Sequence, residues 1–219
     1  MRDRVLIIVA VSALLAPGHL LAQGIGVGVR AGTLGIGAEG AVGLTGNLVV
    51  RAVIGQMPWE PETDLHEIRY TQNLPHMWYT LGLDLYLTGP VRVGAGILFK
   101  PDDPTLTAGL INDTYIGDDL YTPAEVGTLR ATLDARRKAP YLLLGFGRHD
   151  NPGSGLFLDL GVAFLGQPAF TLTAEGGTLI GDPAFEGNLR AEEANLEDDA
   201  GPLLQYWPIL NLGLRLAIG

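Results

Sequence analysis

The chain has 219 residues, 31 of them glycine, with 47% apolar content, no cysteine and a formal net charge of −10. That acidity argues against a nucleic-acid partner, and the lack of cysteine excludes disulfides, thiolate metal sites and a lipoprotein anchor. One domain fits the length, and so much glycine fits a narrow membrane barrel better than a soluble protein.

Residues 1–22 carry Arg2 and Arg4, an apolar run from Val5 to Leu15, and Leu20-Leu21-Ala22 before Gln23. This predicts a cleaved signal peptide and a mature domain at 23–219. Loss of Arg2, Asp3 and Arg4 removes a net +1 and leaves the mature chain at −11. No later stretch supplies about 18 consecutive apolar residues, so insertion into a membrane would have to use strands.

Period-two alternation then recurs along the chain. In GIGVGVRA (24–31), Ile25, Val27, Val29 and Ala31 alternate with Gly26, Gly28 and Arg30, and from Leu34 to Leu44 the apolar parity switches to even numbers. A two-residue turn at Gly32-Thr33, setting Ala31 opposite Leu34, explains the switch, as would a bulge inside one long strand; an even count of strands favours the turn. Strand 48–54 sets Leu48, Val50, Ala52 and Ile54 against Val49, Arg51 and Val53. The clearest pair is 77–99, where Met77 to Leu87 and Val91 to Phe99 flank Thr88-Gly89-Pro90, with aliphatic residues on one face and Asp84, Arg92 and glycines on the other. Strands over 141–148, 156–165 and 210–218 follow the same rule. An aliphatic face opposite a small or charged one predicts lipid-facing strands around a polar interior.

Short connections at 45–47, 88–90 and 149–154 alternate with long ones at 56–75, 101–138 and 166–205. With both termini at the short-turn end, this predicts an all-β, up-and-down, antiparallel transmembrane barrel of eight strands, with tight periplasmic turns and long extracellular loops. Within the loops, Thr114-Tyr115-Ile116 and Leu120-Tyr121-Thr122 predict a small exposed hairpin. Asp182 followed by Pro183, with Gly201 as a stop, predicts one short helix over about 182–200, placed across the barrel mouth or against its upper wall.

On this register the inward charges are Arg30, Glu39, Arg51, Asp84, Arg92, Asp159 and Arg215. Four cations against three anions point to a hydrogen-bonded plug in a lumen just wide enough for side chains, with glycines making room for the arginines. Trp78, Tyr79, Tyr206 and Trp207 are expected in an interfacial aromatic girdle. Acids concentrate in the loops: Glu60, Glu62, Asp64 and Glu67, then Asp102, Asp103, Asp113, Asp118 and Asp119, then Glu186, Glu192, Glu193, Glu197, Asp198 and Asp199. They make a solvated rim able to hold divalent cations that bridge to lipopolysaccharide.

Chemistry is sparse. Ser154 is the only serine of the mature chain and falls in a short turn, so a serine hydrolase lacks its nucleophile. His66, His76 and His149 lack ligand spacing and are expected at the surface, and neither metal nor cofactor is indicated. An Asp84/Asp159 acid pair is a remote enzymatic option.

With these strands in place, the chain resembles the small outer-membrane barrels of Gram-negative bacteria, the superfamily of the OmpA membrane domain and OmpW. The segment DPAF…LRAEEANLEDD…YWPILNLGL also resembles a group of uncharacterised exported barrel proteins. The resemblance implies an outer-membrane location, contact with outer-membrane lipid and lipopolysaccharide, and a monomer delivered by the barrel assembly machinery. It also implies an assembly signal at Asn211, Gly213, Leu216 and Ile218, although bacterial examples usually end in an aromatic residue where this chain has Ile218-Gly219. The expected role is a plugged barrel with a structural or surface-interaction function. The alternative is a narrow, porin-like channel for small or apolar solutes gated by the 166–205 loop.

Overall fold

The computed structural model describes residues 24–58, 62–65, 68–73 and 76–218, so the leader, His66, Glu60 and Glu67 lie outside the described residues. In chain order the strands are β1 (Ile25–Gly32), β2 (Gly35–Gly43), β3 (Leu48–Gln56), β4 (Glu62–Leu65), β5 (Ile68–Asn73), β6 (Met77–Thr88) and β7 (Val91–Phe99). There follow β8 (Thr105–Gly109), β9 (Thr114–Ile116), β10 (Asp119–Tyr121), helix α1 (Pro123–Val126), β11 (Gly127–Asp134) and β12 (Lys138–Phe146). The chain ends with β13 (Gly153–Phe164), β14 (Ala169–Gly176), helix α2 (Pro183–Leu204) and β15 (Tyr206–Ile218).

Eight of these strands form a closed antiparallel barrel in the order β1-β15-β13-β12-β7-β6-β3-β2. Each pairs with its barrel neighbour in sequence, and β1 closes the ring on β15 from Ile25↔Ile218 to Gly32↔Asn211. Closure leaves no unpaired barrel edge, which is the condition for strands to sit in lipid. Outward side chains are aliphatic and uncovered: Val27 is 57% exposed, Leu83 48%, Leu142 55% and Leu212 58%. A belt of this kind around the full circumference is far more apolar surface than a soluble monomer shows.

The first turn differs from the expected one. Its central residues are Thr33-Leu34, with Gly32 opposite Gly35 and Ala31 opposite Ile36. Leu34 leaves the outward set and is buried in the interior, while Gly35 takes φ +78°, a conformation open to a residue without Cβ. Thr33 ties the turn down, because the Leu210 N–H donates to its Oγ1 at 3.0 Å.

The long connections are structured beyond the expected hairpin and helix. The hairpin is present as β9 and β10, and the helix as α2, which runs through the expected stop at Gly201 to end at Leu204. The remaining chain builds a five-stranded sheet in the order β14-β11-β8-β5-β4. Four barrel strands in the order β13-β12-β7-β6 run on, after short breaks, into β14, β11, β8 and β5 in that same order. The sheet is thus a wall rising from one side of the barrel rim. The breaks hold Pro101, Pro104 and Pro168, which cannot donate to a sheet ladder.

One face of the wall continues the inward face of the barrel. On the β7–β8 side Leu98, Lys100, Leu106 and Ala108 keep one parity, and on the β11–β12 side Leu129, Ala131, Ala135, Ala139 and Tyr141 do the same. Helix α2 covers this face, burying Phe185 and Leu189 against Leu129, Ala131 and Leu172, with Ile116, Tyr121 and Val126 completing a second core. Asp182 caps the helix, its Oδ1 accepting the Ala184 and Phe185 N–H groups at 2.9 and 3.1 Å.

Strand β14 ends the wall, and α2 also guards that edge. The Phe170 N–H donates to Glu197 Oε1 at 3.0 Å, and the Leu172 N–H donates to Glu193 Oε1 at 2.6 Å. Four helical residues advance about 6 Å and two strand residues about 6.6 Å, so the two glutamates match successive edge amides. Such cover blunts an edge that would otherwise recruit another strand. In the double variant Glu193→Ala/Glu197→Ala, hydrogen exchange of the Phe170 and Leu172 amides should accelerate, while that of Thr171 and Thr173, on the β11 side, should change little. Exchange measured by mass spectrometry in micelles checks this, alongside a shift toward oligomers in size-exclusion chromatography.

Candidate functional site

The inward parity of β1, β2, β3, β6, β7 and β13 delivers six charged side chains to one level of the lumen. Arg30, Glu39, Arg51, Asp84, Arg92 and Asp159 are all buried, three cations against three anions. Arg51 sits at the centre, with its Nη1 2.7 Å from Asp159 Oδ2 and 3.4 Å from Glu39 Oε2, and its Nε 2.8 Å from Asp84 Oδ2. Arg92 donates from Nε to Asp84 Oδ2 at 3.1 Å and from Nη2 to Asp159 Oδ1. Arg30 is looser, 3.9 Å from both Glu39 and Asp159.

Arg215 does not join them. Half-buried near the short-turn end, it donates from Nη1 to the Asn151 carbonyl at 2.7 Å and the Gly153 carbonyl at 3.3 Å. Its departure turns the expected four-to-three imbalance into three against three, the balance that a dry interior requires.

Glycines set the clearances. A Cβ on Gly145 would collide with the Arg92 guanidinium, one on Gly94 with Asp84, and one on Gly28 would stand 3.0 Å from Glu39 Cγ. Gly82 and Gly96 leave the same kind of room for the Tyr141 hydroxyl.

Further buried groups occupy the lumen above and below this level. Toward the wall, Leu34, Trp78, Leu98, Ala139, Tyr141, Leu143, Ala163, Leu165 and Ile209 form one buried cluster with Trp207 packed on it. The Trp78 and Trp207 rings lie 5.2 Å apart inside the barrel. This corrects the girdle expected from them: both occupy inward parity on their strands, and that alternation outweighs the preference of tryptophan for an interface. Tyr79 and Tyr206 do face outward, at one level with Phe99 and Phe164.

Toward the short turns, residues 147–152 fold back into the mouth. The backbones of His149 and Asp150 press so closely on Gly26 and Gly24 that neither glycine can carry a Cβ. His149 is 1% exposed, which corrects its expected surface position; it is a turn residue, so strand alternation carries no signal for it. Its Nε2 is 2.8 Å from Glu39 Oε1, its Nδ1 3.0 Å from Tyr86 Oη, and its backbone N–H donates to that same hydroxyl at 2.9 Å. Arg148 braces the turn from Asp150 and the Gly46 carbonyl and lies over the Tyr86 ring at 4.4 Å.

The proposed assembly residues are divided by parity. Asn211 is buried opposite Asp159 and Gly213 lies under the Phe157 ring, whereas Leu216 and Ile218 point outward. Asp84 and Asp159, the pair considered for acid catalysis, are fully buried, Asp84 between Arg51 and Arg92 and Asp159 among Arg30, Arg51 and Arg92. Among the described residues no group of three or more His, Asp or Glu side chains could hold a metal ion.

The architecture has solved counterparts. The crystal structure of CarO2 from Acinetobacter baumannii superposes with a TM-score of 0.60 at 17% identity, covering 89% of this chain and 98% of that one. CarO from the same organism gives 0.57 at 18% identity, covering 91% and 99%. The chain is similar in fold to CarO. A major outer membrane protein from Thermus thermophilus aligns over 89% of this chain and 98% of that one at 17% identity, with a TM-score of 0.41. No protein-family model and no curated protein sequence matches the chain.

Two expectations follow from the network. Asp159→Ala leaves Arg51 and Arg92 short of a counter-charge in a sealed interior, which costs about 3 to 5 kcal/mol. Urea titration followed by heat-modifiable gel mobility in micelles should show the folded band lost at clearly lower denaturant. The second concerns His149, which faces Glu39, Tyr86, Arg51, Arg92 and Asp150. Burial, more than any other influence, holds its imidazole below the ordinary pKa of 6.5. The unfolded chain therefore binds the extra proton first, so this contribution to stability is complete above about pH 6.5 and falls as the pH drops toward the lower folded value. Between pH 7.5 and 5 the urea midpoint should decline, and His149→Gln should flatten that part of the decline.

Proposed function

We propose that the chain is an integral outer-membrane barrel whose lumen does not conduct and whose working surface is the wall and helix beyond the rim. It serves a structural or surface-interaction role without catalysis, as a monomer that the assembly machinery inserts after removal of a signal peptide at residues 1–22.

The observation that carries this reading is the three-level filling of the lumen: the Trp78–Trp207 apolar cluster, the arginine–carboxylate network, and the inserted turn at His149. The groups that fill the lumen above and at the network come mainly from barrel strands, with Leu34, Ala135 and Leu165 from their ends. Helix α2 packs on the wall, which weakens the alternative of a channel gated by the 166–205 loop. The uncovered aliphatic belt, bordered near the wall by Tyr79, Phe99, Phe164 and Tyr206, supports lipid as the surrounding medium. Full burial of Asp84 and Asp159 among arginines supports a non-enzymatic role, because a general acid must reach its substrate.

Planar-bilayer recording tests the reading. The mature protein should give no reproducible unit conductance, and replacing residues 178–204 with a short glycine-serine linker should leave it closed. Unit steps in the intact protein, or steps unlocked by removing the helix, would favour the gated channel. Loss of the closed state in Trp78→Ala/Trp207→Ala would locate the seal in the strands.

A further inference from the structure

Positive charge is distributed unevenly over the protein. Arg30, Arg51 and Arg92 serve the lumen network, Lys100 pairs with Asp103, and Arg148 and Arg215 brace the short turns. The one run of consecutive basic residues in the sequence is Arg136-Arg137-Lys138, at the break between β11 and β12. All three are exposed.

Their height on the barrel is what gives the run meaning. Lys138 opens β12 on the outward parity shared by Leu142 and Leu144 of the aliphatic belt. Its partner across the sheet is Phe99, and its Nζ is 6.0 Å from that ring. Phe99 in turn pairs with Tyr79, and Phe164 with Tyr206 lies two barrel strands away, so the cations stand at the aromatic level where the belt ends. Arg136 lies against the backbone of Gly166 on the neighbouring break; a Cβ there would be 2.8 Å from its Nε. Arg137 is 70% exposed at its side chain and 3.7 Å from Asp103, an acid already engaged by Lys100. Asp102, beside Asp103, and Asp134, two residues before the run, are the other exposed acids nearby; with Lys100 counted, four cations stand against three acids, a net +1 on a protein of strongly negative charge.

We propose that Arg136, Arg137 and Lys138 bind the phosphate groups of an anionic lipid in the leaflet that meets the wall end of the barrel. The inference rests on the outer-membrane reading above and adds the residues and headgroup chemistry. Arginine forks match phosphate oxygens in pairs, lysine adds a point charge, and the adjoining belt takes the acyl chains. Such a site selects a doubly phosphorylated glycolipid over a zwitterionic phospholipid by charge.

The mature full-length protein, reconstituted in vesicles, is first scored for insertion by protease protection and heat-modifiable mobility. Retention of bis-phosphorylated lipid A, its dephosphorylated form and phosphatidylethanolamine is then compared by native mass spectrometry from micelles. The expected result is preferential retention of the phosphorylated glycolipid, weakened about a hundredfold in Arg136→Gln/Arg137→Gln/Lys138→Gln and unchanged in Arg190→Gln. Equal retention by the triple variant, equal retention of the dephosphorylated lipid, or displacement by inorganic phosphate at the same concentration as lipid would overturn the proposal while leaving the membrane reading standing. Failure to insert would overturn the membrane reading itself and this site with it.

Discussion

The interior of this barrel has to neutralise three buried arginines, and most of the architecture follows from that requirement. Arg51 can reach Asp84, Glu39 and Asp159 together because the tilted, closed sheet brings β2, β3, β6 and β13 around one small cavity. The guanidinium of Arg92 fits only because Gly145 lacks a side chain beneath it. Buried ion pairs of this kind add little net stability over an apolar filling, since desolvation offsets their attraction. Their value is in register. A strand slipped by one residue would put arginine into the belt and leucine into the lumen, so the network penalises every wrong pairing.

The inserted turn extends the same logic to the mouth. Glu39 lies within reach of two arginines through one oxygen, and His149 occupies the other. For His149 to arrive there the 147–152 turn must descend into the barrel, which in turn demands Gly24 and Gly26 in the facing strand. Tyr86 then closes the arrangement by accepting the His149 backbone N–H. A single neutral imidazole completes the carboxylate's coordination without disturbing a balanced count of charges.

Much of this was legible because barrel strands are strictly periodic. The eight strands, the inward set from Arg30 to Asp159, the β9–β10 hairpin and the α2 cap all follow from alternation, turn residues and capping chemistry. Other features escape the sequence, for separate reasons. The wall strands carry the period too, Leu106 and Ala108 against threonines in β8 and Leu129 and Ala131 in β11, but they are short and sit among prolines and acids that suggest a loop. For Trp78 and Trp207 residue type suggests an interface, while their own strand parity points inward, and parity prevails. His149 has no periodic signal at all, and its burial depends on the path of a turn, a tertiary fact.

The wall also makes the rim asymmetric, and that asymmetry constrains where anything can approach. It rises over β6, β7, β12 and β13, whereas β1 and β2 meet in the tight Thr33-Leu34 turn and contribute no strand to it. The face of the wall that looks over the mouth is filled by α2, and the β14 edge is occupied by Glu193 and Glu197. From above the mouth the exposed surfaces are the outer side of the helix, with Glu186 and Arg190, and the β9–β10 hairpin, where Tyr115 and Leu120 pair across the strands at 68% and 53% exposure. That hairpin sets these apolar side chains among the exposed acids Asp113, Asp118 and Asp119. It is anchored to α2 by Asn188, which donates to Asp119 and to the Tyr121 hydroxyl, so the helix that guards the sheet edge also fixes the surface the wall presents.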